Sequence, residues 1–125
     1  MTYIKSYKEL IVWQKAIKLV KEIFILTDKF PKSELYGLIS QMRRAAVAIP
    51  SNIAEGYGRK SSKEYAQFYS IAYGSALELE TQIIISKELL FTSSENFGKV
   101  DSLLEEVARM LNSMISQMRQ LNARR

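Results

Sequence analysis

The chain contains no cysteine and no histidine among its 125 residues. Without thiols it cannot form disulfides or thiolate metal sites, and without imidazole it lacks the commonest metal ligand and general base. The Glu-x-x-His motifs of carboxylate-bridged di-iron bundles are excluded for the same reason. An enzyme built on this chain would have to rely on carboxylates, lysine, tyrosine or serine, so we expect no catalytic site, no metal and no cofactor.

Proline and glycine are also scarce, with two and five residues respectively. This scarcity argues against linkers, disorder and a turn-rich all-β fold. The 47% of hydrophobic residues is enough for one core, so we expect residues 1–125 to form a single domain. No apolar run approaches the roughly 18 residues of a membrane span, and the N-terminus lacks a signal-peptide core. These absences predict a soluble, cytoplasmic protein without a membrane partner.

Positive charge is unevenly distributed along the chain. Residues 1–63 hold 12 Lys and Arg against 5 Asp and Glu, a net charge of +7, whereas residues 64–125 hold 6 against 8, a net charge of −2. A basic half joined to a mildly acidic half indicates an anionic partner such as nucleic acid, or head-to-tail self-association. The alternative is that the lysines only keep the surface soluble.

Apolar residues recur at spacings of three and four along most of the chain, which is the pattern of amphipathic helices. The third helix has a clear start, because Ser61 and Glu64 form the sequence pattern of a capping box. Gly56 and Gly58 provide possible C-terminal stops for the second helix. The four predicted helices run from about Tyr7 to Asp28, from after Ser33 to these glycines, from Ser61 to about Leu90, and onward from Ser93.

Helices of about 22 to 30 residues form rods of roughly 33 to 45 Å. The short connections between them favour antiparallel neighbours, so the sequence predicts an all-α, up-down-up-down four-helix bundle. The first and third helices carry more apolar surface than one bundle buries, which favours a homo-oligomer. The alternative explanation for this apolar surface is a wider core within one bundle, to which tyrosine rings and the aliphatic parts of lysine side chains contribute.

One segment of the second helix breaks the helical pattern. Pro50 removes a backbone donor, and Asn52 places an amide among apolar positions. We interpret Asn52 as bonding to backbone groups freed near the proline, and Glu55 as pairing with a basic residue. Pro50, Asn52, Glu55 and Gly56 then form a structural motif. The alternative interpretation is that Asn52 and Glu55 act as an active-site pair.

Several basic residues are candidates for phosphate binding. Two arginines lie on the flank and back of the second helix, and a further group lies in the turn before the third helix, where backbone amides add partial positive charge. Tyr57 and Tyr65 are close enough in sequence to stack on bases there. A solvated basic surface, partly paired with acidic groups, is the alternative. The candidate nucleic-acid-binding residues are Arg43, Arg44, Arg59, Lys60 and Lys63, extended by Lys15 and Lys18 on the lysine face of the first helix.

The order and spacing of several segments carry a family resemblance over nearly the whole chain. They are LIVWQKA (10–16), LYGL (35–38), QMRRAA (41–46), IPSNIAEG (49–56), then GS (74–75) and ELE (78–80) in the third helix and RMLN (109–112) in the fourth. With them, the chain resembles the four-helix-bundle proteins encoded by intervening sequences inside bacterial 23S ribosomal RNA genes, sometimes labelled ribosomal proteins. That family includes the accessory variability determinant proteins of diversity-generating retroelements.

The resemblance implies a four-helix protomer that assembles as a ring-shaped homopentamer. It also implies a basic surface able to bind nucleic acid and, in the retroelement members, association with a reverse transcriptase. It implies no catalysis.

Taken together, these features predict a non-enzymatic, oligomeric bundle that binds RNA or DNA mainly through phosphate contacts, with strong salt dependence and little sequence specificity. A protein-interaction scaffold, or an accessory subunit that docks a partner such as a reverse transcriptase, is the competing hypothesis. An enzyme built on Glu55 with basic helpers is the third.

Overall fold

The computed structural model describes residues 5–123, and within that range all regular structure is helical. No helix in the range combines the length and apolar character needed to cross a membrane. The main helices are α1 (Ile11–Thr27), α2 (Ser40–Tyr57), α3 (Ser62–Glu88) and α4 (Gly98–Ala123). The shorter elements are the 3-10 turns Tyr7–Glu9, Lys32–Glu34 and Ser94–Phe97, and the π turn Leu35–Ile39.

Two helix starts differ from the sequence prediction. The first turn, predicted to begin helix 1 at Tyr7, is separate from α1, because Leu10 between them is extended (φ −68°, ψ 127°). The segment after Ser33, predicted as regular helix, forms a 3-10 turn and then a π turn before α2 begins. Gly37 within it lies outside the helical region (φ −112°, ψ −114°), so the regular helix is interrupted there.

The four main helices enclose one hydrophobic core. Each packs against its neighbours in the chain, and α1 also packs against α4, so the contacts close a circuit. This arrangement is consistent with a four-helix bundle, and the buried positions follow the predicted spacing of three and four. The fully buried large side chains include Leu19, Ile23, Met42, Ile49, Ile53, Leu79, Ile83 and Leu111.

The end of α2 approaches the start of α3 closely at Gly56. A Cβ at this position would lie 3.0 Å from Phe68 Cβ and 3.0 Å from Tyr69 Cε1. Both distances are shorter than an ordinary carbon–carbon van der Waals contact, so a side chain here would require Phe68 and Tyr69 to shift by a few tenths of an ångström. Of the two glycines predicted as helix stops, Gly58 is the C-cap of α2. Gly56 instead lies inside α2, where it packs tightly against α3.

Two glycine substitutions test this close approach. Gly56→Ala is expected to lower the free energy of unfolding by about 1–3 kcal/mol, because the added methyl overpacks the contact between α2 and α3. Gly74→Ala is the matched control, since a Cβ on that exposed α3 residue meets nothing within 4 Å. At position 74, alanine should raise the free energy of unfolding by about 0.5–1 kcal/mol. Urea unfolding followed by circular dichroism measures both, and equal shifts of the same sign would contradict the close approach.

A pH titration tests the burial of Tyr69. Burial raises its pKa to about 12, and the nearby Tyr65 and Tyr57 add to this shift. A tyrosine in the unfolded chain has a pKa near 10, so between about pH 10 and 12 the unfolded state releases a proton that the folded state keeps. Stability is therefore complete below about pH 10 and falls as pH rises through this window.

Tyr69→Phe should lose stability less steeply than the wild type from about pH 10 to 12. The measurement is the urea midpoint at several pH values across that window. Tyr36→Phe is the control, because the Tyr36 side chain is 95% exposed. Identical slopes for Tyr69→Phe and the wild type would show that the Tyr69 phenol is not held neutral by the fold.

Candidate nucleic-acid interface

The seven predicted phosphate-binding residues fall into three separate areas of the bundle. Arg43 and Arg44 lie near the start of α2, whereas the turn cluster, defined as Arg59, Lys60 and Lys63, lies where α2 meets α3. At 1.5 Å per residue, these two groups are about 20 Å apart along α2. The remaining two residues lie on α1 and border α4. The structure therefore provides three basic areas rather than one continuous surface.

Arg43 connects the start of α2 to the end of α1. Its Nε donates to Thr27 Oγ1 at 3.0 Å, and its Nη2 lies 3.3 Å from Asp28 Oδ1. Its guanidinium also lies over the Phe24 ring, 4.6 Å from the ring centroid. A planar guanidinium fits such a combination of stacking and hydrogen bonding. Arg43 thus contributes to packing between α1 and α2, and most of its side chain is covered.

Arg44 differs from its neighbour because it is exposed and forms no ion pair within the described residues. It borders a cleft of about 370 Å³ between α2 and α3, together with Ala45, Ala48 and Glu78. The carboxylate of Glu78 lowers the local positive potential. Arg44 is accessible to an external anion, but its surroundings are only weakly basic.

The turn cluster combines one engaged arginine with two accessible lysines. Arg59 Nη2 lies 2.8 Å from Glu55 Oε2, and the guanidinium lies 4.4 Å from the centroid of the Phe68 ring. The prediction that Glu55 pairs with a basic residue is confirmed. Lys60 and Lys63 are exposed and form no ion pair with any residue in the range 5–123. These two ammonium groups are therefore available to an anion.

The start of α3 has the predicted cap. Ser61 Oγ accepts from the Glu64 backbone N–H at 3.2 Å and donates to the Glu64 carboxylate at 3.2 Å. Tyr57 and Tyr65, the residues predicted to stack on bases, are each only partly exposed. The Tyr65 ring is nearly parallel to the Tyr69 ring, with centroids 6.3 Å apart. One face of Tyr65 is therefore occupied by a neighbouring aromatic ring.

Pro50 lies buried within α2, and the helix continues through it. Asn52 Nδ2 donates to the Ala48 carbonyl at 2.8 Å. The carbonyl that loses its usual donor to a proline at position 50 is that of Ala46, four residues earlier. Asn52 thus bonds to the backbone beside the proline, as expected, but not to the freed carbonyl itself. Among the described residues, no group of His, Cys, Asp or Glu is arranged to hold a metal ion.

A groove between α1 and α4 collects further cations. It has a volume of about 390 Å³ and is bordered by three lysines, Lys18, Lys21 and Lys99, and by Ser102. We call these four residues the lysine groove. Glu22 and Leu103 complete its lining. The three lysines are exposed, and none forms an ion pair within residues 5–123.

Next to the lysine groove, Lys15 of α1 forms an ion pair of 2.5 Å with Glu106 of α4. The hydrogen bond from Lys15 lowers the pKa of Glu106, and the positive charges of Lys15, Arg109 and Lys18 lower it further. This direction of shift shows that the neighbouring cations stabilise the charged form of Glu106. Arg109 also lies 3.8 Å from Glu105, so this side of the lysine groove carries charges of both signs.

The sequence interpretation missed part of this area. Lys18 is one of the candidates from the sequence, whereas Lys99 and Ser102 are not. Lys99 lies about 80 residues after Lys18 in the chain. Only the packing of α1 against α4 brings them together. The spacing of Lys99 and Ser102, three residues apart on one helix, was the signal available in the sequence.

Comparison with known proteins supports one family. The family model of the 23S rRNA-intervening sequence protein matches residues 8–113, which is most of the chain. A comparison with curated proteins finds no match. Because the matched range includes all of α1, α2 and α3 and more than half of α4, the chain belongs to the 23S rRNA-intervening sequence protein family.

Proposed function

We propose that this protein is a non-enzymatic, oligomeric four-helix bundle that binds nucleic acid through basic surfaces, with little sequence specificity. The observation that carries the proposal is the pair of exposed lysines in the turn cluster, Lys60 and Lys63, which have no carboxylate partner among the described residues. The family, whose name refers to a sequence within 23S rRNA, is consistent with a nucleic-acid ligand.

The turn cluster has the chemistry of a phosphate site. Lys60 and Lys63 flank Ser61, the N-cap of α3, where unpaired backbone amides add partial positive charge. Lysine presents its ammonium group as a point charge rather than as a planar fork, so it favours phosphates over particular base edges. Binding of this kind is strong at low salt, falls steeply as salt rises, and depends little on sequence.

The same proposal includes an up-down-up-down arrangement of the helices. Three contacts support it, because each joins the start of one helix to the end of a neighbour. They are Arg43 of α2 with Thr27 of α1, Met42 of α2 with Ser86 of α3, and Ser62 of α3 with Asn122 of α4.

Self-association is supported by two apolar surfaces on different helices. The first is a groove of about 300 Å³ between α1 and α2, whose lining includes Trp13, Ile17 and Val47. The second is on α3, where the side chains of Leu77 and Ile84 are 44% and 52% exposed. Two unlike surfaces that fit one another form a head-to-tail interface, and such an interface closes into a ring. Five subunits is the number that the resemblance implies.

An accessory subunit that docks a protein partner, such as a reverse transcriptase, is the second candidate function. It is favoured by an apolar surface at one end of the bundle. Leu90 there is 84% exposed although its φ of 56° lies in the left-handed region that a leucine adopts only at a cost. Tyr36, which is 95% exposed, lies at the same end of the bundle. This follows because Phe30 in the α1–α2 connection and Phe91 in the α3–α4 connection have ring centroids 5.3 Å apart.

RNA binding is the first test of the proposed function. Anisotropy titrations with a labelled RNA hairpin and a DNA duplex of the same sequence should show affinity that falls steeply as salt rises. Lys60→Gln/Lys63→Gln should lower the slope of log K against log salt by about 1.4 to 1.8, because each phosphate contact contributes roughly 0.7 to 0.9. Lys5→Gln/Lys32→Gln removes the same charge from exposed residues outside the turn cluster and is the control.

Absence of binding at low salt, in a protein with the helical spectrum of a folded bundle, would exclude the nucleic-acid function. The remaining candidate would then be the accessory subunit that docks a protein partner. Affinity that does not depend on salt concentration, or that differs greatly between unrelated nucleic-acid sequences, would contradict a phosphate-dominated interface.

Light scattering coupled to size exclusion tests the ring. The wild type is expected near 72 kDa, five times the 14.4 kDa of one chain. Val47→Glu and Leu77→Glu should each give monomers, because each variant would bury an unpaired carboxylate in the interface. Mixed together, the two variants should form dimers, since each retains the surface that the other lacks. A wild type that is monomeric at all concentrations would rule out self-association through these surfaces.

A further inference from the structure

The three lysines of the lysine groove line one surface, and none of them forms an ion pair within residues 5–123. Lys18 and Lys21 are one turn apart on α1, and Lys99 approaches from the first turn of α4. Glu22 is the only carboxylate in the lining of this groove, so its charged groups sum to a net positive charge. Like charges that share a groove repel one another, and an anion placed between them removes that repulsion.

The polar groups of the lysine groove are donors that suit phosphate oxygens. Ammonium groups have three donors and no acceptor, and the Ser102 hydroxyl can donate from the same helix as Lys99. The only large apolar side chain in the lining is Leu103, and no aromatic ring is present on which a base could stack. The groove therefore offers contacts to a sugar–phosphate backbone rather than to bases.

Other basic residues lie on both sides of the lysine groove, with carboxylates nearby. On one side Lys15 pairs with Glu106 and Arg109 with Glu105, and on the other side Lys29 and Lys99 border a second cleft of about 230 Å³ together with Glu22 and Glu95. From position 15 to position 27, where α1 ends, the distance is about 18 Å at 1.5 Å per residue. A strand carries one phosphate per roughly 3.4 Å of duplex axis, so this length spans several phosphates.

We propose that the lysine groove binds consecutive phosphates of a nucleic-acid strand that runs along α1 and α4. The assignment rests on the nucleic-acid-binding function proposed above, and it adds a contact area on a different pair of helices from the turn cluster. Lys18, Lys21 and Lys99 supply the charge, and Ser102 supplies a neutral donor. Glu22 opposes binding, because its carboxylate repels the phosphates.

Charge removal in the lysine groove is the first part of the test. Lys18→Gln/Lys21→Gln/Lys99→Gln should lower the slope of log K against log salt by about 2 to 3, and affinity for the labelled RNA hairpin by about tenfold or more at low salt. Lys5→Gln/Lys8→Gln/Lys32→Gln removes three charges from exposed residues that do not line the groove. Its slope should change by less than about 1.

Glu22→Gln provides a test in the opposite direction. Removing the only carboxylate of the groove lining should tighten RNA binding by about 1.5- to 5-fold at low salt, the range expected for one exposed charge. Circular dichroism and thermal melting should match those of the wild type for all variants.

The outcomes distinguish a failure of the lysine-groove proposal from a failure of the proposed nucleic-acid function. A wild type that binds no RNA overturns both proposals. A wild type that binds RNA, with unchanged slope in the groove triple variant and a reduced slope in Lys60→Gln/Lys63→Gln, overturns the groove alone. Equal losses in the groove triple variant and its control also overturn it, because net charge alone would then explain the result. Selective loss in the triple variant with a gain in Glu22→Gln supports it.

Discussion

The close packing of α2 on α3 is the constraint on which the basic turn and the apolar surfaces both depend. Gly56 permits the approach, and Tyr69 fills the space beside it. Small buried side chains such as Ala46 and Ala76 keep the two helices close further along. Large side chains, such as Ile49 and Leu79, fill the core beside them. Other apolar side chains of the same helices, such as Val47 and Leu77, lie on the outside of the protomer.

Two populations of cations have different physical roles. Arg43, Arg59 and Lys15 have carboxylate partners, and the two arginines also lie over aromatic rings. Exposed ion pairs contribute only about 0–1 kcal/mol each, so they orient side chains more than they hold the fold. Lysines without such partners, as in the turn cluster and the lysine groove, lose no existing contact when an anion binds. In the proposed interface, the binding free energy would therefore come mainly from the lysines without carboxylate partners.

The sequence was sufficient for the helical fold and insufficient for the arrangement of the site. Periodicity assigns each residue to a buried or exposed side of its own helix, and the Ser61 cap is a local pattern, so both were predictable. Neighbours across helices are set by packing. For that reason neither the engagement of Arg43 with α1 nor the meeting of Lys18 with Lys99 could be predicted. The irregular start of α2 depends on the backbone at Gly37, which periodicity does not describe.

The proposed self-association and the proposed phosphate binding would be physically connected. Two or three exposed lysines give a weak site, because each contact is made in water and is screened by salt. A ring would repeat the same lysines around its circumference, and a long nucleic acid could contact several copies at once. Linked weak contacts multiply through effective concentration, so avidity replaces the specific base contacts that the lysine groove lacks. The exposed apolar residues, which would otherwise be a liability for a monomer, then determine how strongly the basic surfaces bind.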